Sequence, residues 1–222
     1  MPNDPMVNVP HILSPMTAPW CGWSMLVLLL FAILSEWMQP GVITQAFGSL
    51  KVRPERMYKD APTNVLAQML ITVFRVGTVA MALCMCLCPY NRFTFTTFAV
   101  VCGIVVGVLL IKMLCNIMLD YTFQLVRKYG DVYEHYSNIL TLTVLVLYPL
   151  VLLFMHIGTP QTNLWLLAAG AVLFLGMWLY RSARQFVQSP MALLFLLVYT
   201  ATMEVLPMAG IVLLSAKTIT IL

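Results

Sequence analysis

The feature that most constrains this chain is a series of six apolar runs, each close to the length of a membrane-spanning helix. A helix needs roughly 20 largely apolar residues to cross the hydrocarbon core of a bilayer. In the 222-residue chain the runs cover about residues 19–38, 64–88, 93–111, 137–157, 164–180 and 191–214. The sequence therefore predicts an all-α membrane protein, a six-transmembrane-helix bundle that forms a single domain over residues 19–215.

The composition excludes most other classes of protein. Hydrophobic residues make up 61% of the chain and charged residues only 9%, whereas soluble domains carry about 45–50% apolar and about 25% charged residues. A soluble enzyme, a disordered chain and a nucleic-acid-binding module are therefore poor interpretations, and we expect the lipid bilayer, not nucleic acid, as a partner. Outside the runs too few residues remain for a separate soluble domain, so residues 1–18 and 216–222 are predicted to be short tails.

The distribution of Lys and Arg predicts the orientation in the membrane. The N-terminal tail, the second and fourth loops and the C-terminal tail hold only Arg92 and Lys217. The first, third and fifth loops hold Lys51, Arg53, Arg56, Lys59, Lys112, Arg127, Lys128, Arg181 and Arg184. Because basic loops stay in the cytoplasm, we expect a multi-pass membrane protein with these three loops in the cytoplasm and both termini on the opposite side of the membrane.

Two charged residues fall deep inside predicted spans. Arg75 stands eleven residues into the second run and Glu204 fourteen residues into the sixth, both counted from the cytoplasmic side. At 1.5 Å per residue their depths are roughly 16 and 21 Å, near the middle of a core about 30 Å thick. A charge there is costly unless it is paired, so an intramembrane Arg75–Glu204 pair is predicted. Pro207 cannot donate to the carbonyl of Met203, which leaves a polar group beside Glu204.

This pair has two interpretations. The preferred one is a structural ion pair that fixes the register of two helices. The alternative is functional: Glu204 is a proton- or ion-coupling carboxylate, and Arg75 tunes it or binds an anion.

The third span is predicted to continue beyond the membrane surface as a helix. Lys112, Asn116 and Asp120 are each four residues apart, which places them on one helical stripe. Gly130 is a helix stop and Asp131 a helix start, so a cytoplasmic helical hairpin extends spans 3 and 4. The predicted cytoplasmic polar cluster comprises Lys112, Asn116, Asp120, Tyr133, Ser137, Asn138, Arg181 and Arg184. It lines a water-filled vestibule, docks a partner, or is a solvated face of the hairpin.

Other motifs favour packing over chemistry. Gly103 and Gly107 form a GxxxG motif that permits close helix approach, and packing within the protein is preferred over a dimer seam. The six cysteines are interpreted as small packing residues, with a Cys21–Cys88 disulfide as the less favoured alternative. No metal site, cofactor or catalytic residue is predicted.

Several motifs in a fixed order resemble a known family. They are Lys112…Tyr121-x-Phe123, then Tyr133 and Asn138, Tyr148-Pro149-Leu150, Tyr180-Arg181-x-x-Arg184, and Tyr199…Met203-Glu204-Val205-Leu206-Pro207. Together they resemble an uncharacterised family of integral membrane proteins from the Bacteroidota, known as domain of unknown function 4271. The resemblance implies a Gram-negative inner-membrane location and draws attention to Lys112, Asn138, Arg181 and Glu204; it implies no activity.

Three functions are compatible with these observations. The leading hypothesis is a non-enzymatic accessory or scaffold subunit of an envelope assembly, associated with another membrane protein or with a second copy. The first alternative is a small-solute or proton-coupled carrier or channel that uses Glu204 and Arg75. The second is a membrane-embedded enzyme that acts on a lipid head group through Lys112, Asn116, Asp120 and Arg184.

Overall fold

Six of the helices in the described part of the chain are long and apolar enough to cross a membrane, which confirms the predicted fold class. The computed structural model describes residues 19–48, 64–88, 93–123, 132–157, 160–186, 194 and 197–221, and these residues contain no β-strand. The long helices are α1 (Pro19–Met38), α3 (Val65–Leu87), α4 (Phe95–Phe123), α5 (Val132–Ile157), α6 (Pro160–Phe186) and α7, which spans 197–221.

Helix α3 forms the centre of the bundle. It packs against α1, α4, α5, α6 and α7, and 67% of its membrane-spanning stretch is buried, against 17% for α4 and 11% for α7. Gly77 allows α1 to approach closely, because any side chain at this position would overlap Leu28. The Ser35 hydroxyl donates to the carbonyl of Ala67 at 2.9 Å, which joins the same two helices at a second level.

A short helix, α2 (Val42–Gly48), follows α1 after a sharp turn. Gly41 has φ 105°, a backbone conformation that glycine adopts readily and that residues with a side chain disfavour. Both carboxylate oxygens of Glu36 accept backbone N–H groups at 2.8 Å, from Gly41 and Ile43. They satisfy donors at the start of α2 that have no partner within the helix.

One end of the bundle is held by aromatic rings and a side-chain amide, and we call it the aromatic end. Trp20 of α1 stacks on Phe93 with ring centroids 5.2 Å apart and also contacts Phe95 and Phe98. The amide of Asn163, at the start of α6, donates to the carbonyl of Met85 at 3.2 Å. Ring contacts thus join α1 to α4, and an amide joins α6 to α3.

Four helices extend beyond the predicted spans, and one of them, α5, already begins at Val132. Helix α4 continues to Phe123 and α6 to Phe186. Helix α7 remains helical to Ile221, through most of the segment expected to be a tail. The predicted hairpin turn at Gly130 and Asp131 lies outside the described residues.

Candidate functional site

Glu204 lies in an irregular turn of α7. Residues Ala201–Val205 have π-helical geometry, and the N–H of Leu206 donates to the carbonyl of Ala201. Pro207 has no N–H to donate and its ring crowds the preceding turn, and a wider turn is one way in which a helix accommodates such a residue. The result is a buried Glu204, 2% exposed, beside a break in the regular hydrogen-bond pattern.

The partner of Glu204 is Lys112, not Arg75. The Lys112 ammonium lies 2.5 Å from Glu204 Oε2, and the two side chains are 6% and 1% exposed. The same ammonium lies 3.8 Å from the centre of the Tyr136 ring, a cation–π distance. One basic group therefore joins α4, α5 and α7.

The predicted Arg75–Glu204 pair was wrong because depth along a helix does not decide which helices are neighbours. Helix α4 makes more extensive contact with α7 than α3 does, so the base on α4 is the one that reaches Glu204. Lys112 had been assigned to a loop because it follows the most apolar stretch. It lies within the span Phe95–Met118 instead.

Arg75 is buried in a different interface. Its Nη1 donates to the Ser137 hydroxyl at 2.9 Å, which joins α3 to the start of α5. Asn116 lies one turn beyond Lys112 on α4. The Tyr199 hydroxyl donates to Asn116 Oδ1 at 3.2 Å and adds a second α4–α7 contact. We call the region of Arg75, Lys112, Asn116, Ser137 and Glu204 the charged half of the bundle.

A cavity of about 170 Å³ brings members of both predicted constellations together. Its polar lining includes Arg75, Lys112, Asn116 and Ser137, although Glu204 does not line it. Val106, Leu110 and Met113 form part of its wall and are 42%, 61% and 43% exposed, so the cavity is open at the side of the bundle. The complete lining is Thr72, Arg75, Val76, Val106, Leu109, Leu110, Lys112, Met113, Asn116, Tyr136, Ser137 and Leu140.

Of the remaining members of the predicted polar cluster, the structure describes the side chain of one. Asn138 is partly buried on α5. The backbones of Asp120, Tyr133, Arg181 and Arg184 are helical, but their side chains lie outside the described part. Sequence reasoning missed Tyr136, because an aromatic residue near a helix end is typical of a membrane interface. The sequence feature that could have identified Tyr136 as a site residue is its position next to Ser137, a member of the predicted cluster.

Gly103 and Gly107 do not pack against another helix of the described structure. A side chain built at either position would have no described atom within 4 Å. Within the described part of the chain, no helix therefore packs against this motif. Gly103 precedes Lys112 by nine residues, about two and a half helical turns, so the two residues lie on opposite faces of α4.

The six cysteines are free thiols. Cys86 donates its S–H to the carbonyl of Asn163 at 2.9 Å, an interhelical contact near the aromatic end. Among the described residues no group of three or more His, Cys, Asp or Glu side chains is arranged to hold a metal ion.

The described residues form a bundle that contains six helices of membrane-spanning length, and charged side chains are buried inside it. The sequence model of the family described as Domain of unknown function (DUF4271) matches residues 22–214. The chain belongs to this family, as its motif order predicted. No curated protein and no solved structure matches it.

Proposed function

We propose that the protein is a non-enzymatic accessory or scaffold subunit of an inner-membrane assembly, and that it binds a transmembrane helix of another membrane protein on the outer face of α4. The observation that supports this proposal is the open space beside Gly103, which is exposed, and Gly107, which is half-buried. Ala99 is exposed one turn before Gly103, so three small residues follow one another at four-residue spacing.

Glycine at these two positions calls for a physical reason. Inside a helix, glycine is less favourable than alanine by about 0.8–1.0 kcal/mol, and a lipid-facing position does not need it. Small residues at a spacing of four allow two transmembrane helices to approach until their backbones are in van der Waals contact. A partner helix seated there explains the glycines, and contact with lipid alone does not.

The proposed orientation follows the basic residues, with one revision. Because Lys112 is buried inside α4, it no longer counts as a loop base. Eight bases then remain in the first, third and fifth loops, against Arg92 and Lys217 on the opposite side. This bias still supports cytoplasmic odd-numbered loops and periplasmic chain ends.

Substitution of both glycines tests the proposal. We expect Gly103→Leu with Gly107→Leu to convert a complex in mild detergent to a monomer, because two isobutyl groups hold the helices apart. The measurement is particle mass in detergent, together with the amount of protein in the membrane. Gly176→Leu is the matched control, since Gly176 on α6 also has no described atom near its added side chain.

The proposal fails if the wild-type protein is only a monomer and no partner crosslinks to position 103 in cells. It also fails if the double variant keeps the complex. A mass of twice the chain assigns the seam to a second copy and overturns the partner assignment.

A further inference from the structure

We propose that the cavity between α3, α4 and α5 is a binding site for the phosphate group of an anionic membrane lipid, which enters from the side of the bundle. Gly103 and Gly107 are not part of the cavity lining, but Val106 and Leu110 on the same side of α4 are, so the mouth of the cavity adjoins the partner-binding face. Arg75 and Lys112 would bind the phosphate at the level of Ser137, the second residue of the candidate span Tyr136–His156, which the Arg75 guanidinium reaches. The apolar wall would contact the start of the acyl chains.

Two cationic groups are anchored close together in the cavity. The Arg75 guanidinium is bonded to Ser137, and the Lys112 ammonium lies over the ring of Tyr136. These two anchors are consecutive residues of α5, whose Cα atoms are about 3.8 Å apart. Arg75 and Lys112 also line the same cavity of about 170 Å³, so we infer that one anion held there contacts both cationic groups.

The donors around the cavity suit a phosphate oxygen. A guanidinium presents N–H groups in a planar fork that matches phosphate, and an ammonium has three protons, of which Lys112 directs one to Glu204. The Ser137 hydroxyl accepts from Arg75 and retains its own proton to donate. No acidic side chain is among the described residues that line the cavity, although the Glu204 carboxylate behind Lys112 offsets part of its charge, so Arg75 carries most of the attraction for an anion.

The shape of the cavity favours a lipid over a free ion. A volume of about 170 Å³ equals roughly five or six water molecules at about 30 Å³ each, enough for a phosphate group but not for a whole lipid. The exposed side chains of Val106, Leu110 and Met113 continue the cavity onto the outer surface of α4. An amphiphile can place its phosphate inside and leave its chains in the bilayer.

The test measures lipid retained by the full-length protein. The protein is reconstituted in phosphatidylcholine nanodiscs with a small fraction of phosphatidylglycerol or, in a parallel arm, of uncharged diacylglycerol with the same chains. Native mass spectrometry after release counts the bound lipids. We expect retention of phosphatidylglycerol over diacylglycerol, and a loss of roughly tenfold in Arg75→Gln, because one charge-assisted contact changes affinity by about that factor.

A second variant keeps the test decisive if Arg75→Gln fails to fold. Leu110→Trp narrows the mouth of the cavity without touching a polar contact, and Leu114→Trp is its control. Leu114 is 63% exposed on the same helix but does not line the cavity. We expect retention of phosphatidylglycerol to fall in Leu110→Trp and to stay unchanged in Leu114→Trp.

Three results overturn the proposal. The first is equal retention of the anionic and uncharged lipids. The second is retention that neither Arg75→Gln nor Leu110→Trp lowers. The third is an increase in thermal stability on addition of inorganic phosphate to delipidated protein without any increase on addition of phosphatidylglycerol, which assigns the site to a free anion.

Discussion

The charged half and the aromatic end of this bundle are held together by different chemistry. In the charged half, α4 and α7 are joined by the Lys112–Glu204 pair and by the Tyr199–Asn116 hydrogen bond. At the aromatic end, Trp20 makes three ring contacts that spread over neighbouring residues. The first arrangement depends on few groups of definite geometry, and the second divides its stabilisation among many.

The difference has a consequence for tolerance to substitution. Removal of one member of a buried ion pair leaves an uncompensated charge, whereas replacement of both members by apolar groups is often neutral. Aromatic pairs each contribute about 0.5–1.5 kcal/mol beyond their burial. We therefore expect a single substitution in the charged half to lower stability strongly, and a second substitution that removes the other charge to restore it. At the aromatic end we expect each substitution to lower stability by a smaller amount.

The largest effect is expected for Glu204→Gln. The change leaves the Lys112 ammonium buried beside a neutral amide, and we expect a loss of about 3–5 kcal/mol of stability. The midpoint of thermal unfolding in mild detergent and the amount of protein in the membrane report it. The double variant Lys112→Met with Glu204→Leu should recover most of the loss. The exposed neighbour Thr202→Ala is the control.

An unchanged midpoint in Glu204→Gln would contradict the structural role of the pair. If such a stable variant also lost proton-linked transport of a solute, the coupling interpretation of Glu204 would replace it.

An intermediate effect is expected for Trp20→Ala at the aromatic end. The indole is only partly buried and its contacts are distributed, so we expect a loss of about 1–3 kcal/mol, below the range for a fully buried tryptophan. Trp23 on the same helix is 69% exposed, and Trp23→Ala should change stability by no more than about 0.5 kcal/mol. Equal losses in the two variants would show that the ring contacts of Trp20 contribute nothing specific.

The smallest effect is expected for Tyr199→Phe, which removes only the hydrogen bond to Asn116. Hydrogen bonds between transmembrane helices contribute on average about 0.6 kcal/mol, so a small decrease in the unfolding midpoint should follow. Tyr121→Phe is the control, because Tyr121 is 89% exposed. A loss of stability as large as that of Glu204→Gln would contradict this expectation and would show that the Tyr199 hydrogen bond is energetically coupled to the ion pair.

For the candidate site, the sequence predicted which charged residues are buried but not which residues they contact. Arg75 and Glu204 stand out in apolar runs, and both are buried. The sequence places Lys112 just beyond span 3 because the apolar run thins out there, whereas the candidate span in the structure continues to Met118. The GxxxG motif was recognised, but the face that it presents depends on the side of α4 that α3 and α7 cover.

The sequence by itself determined the helical class, the six spans and the burial of Arg75 and Glu204, because apolar length and the cost of a charge are properties of a single segment. Only the tertiary structure decided that Lys112 pairs with Glu204, that Arg75 bonds to Ser137 and that Gly103 faces outward. These relations depend on which helices are neighbours and on how each is rotated. Neither quantity is encoded in one segment, since both result from the packing of all six helices together.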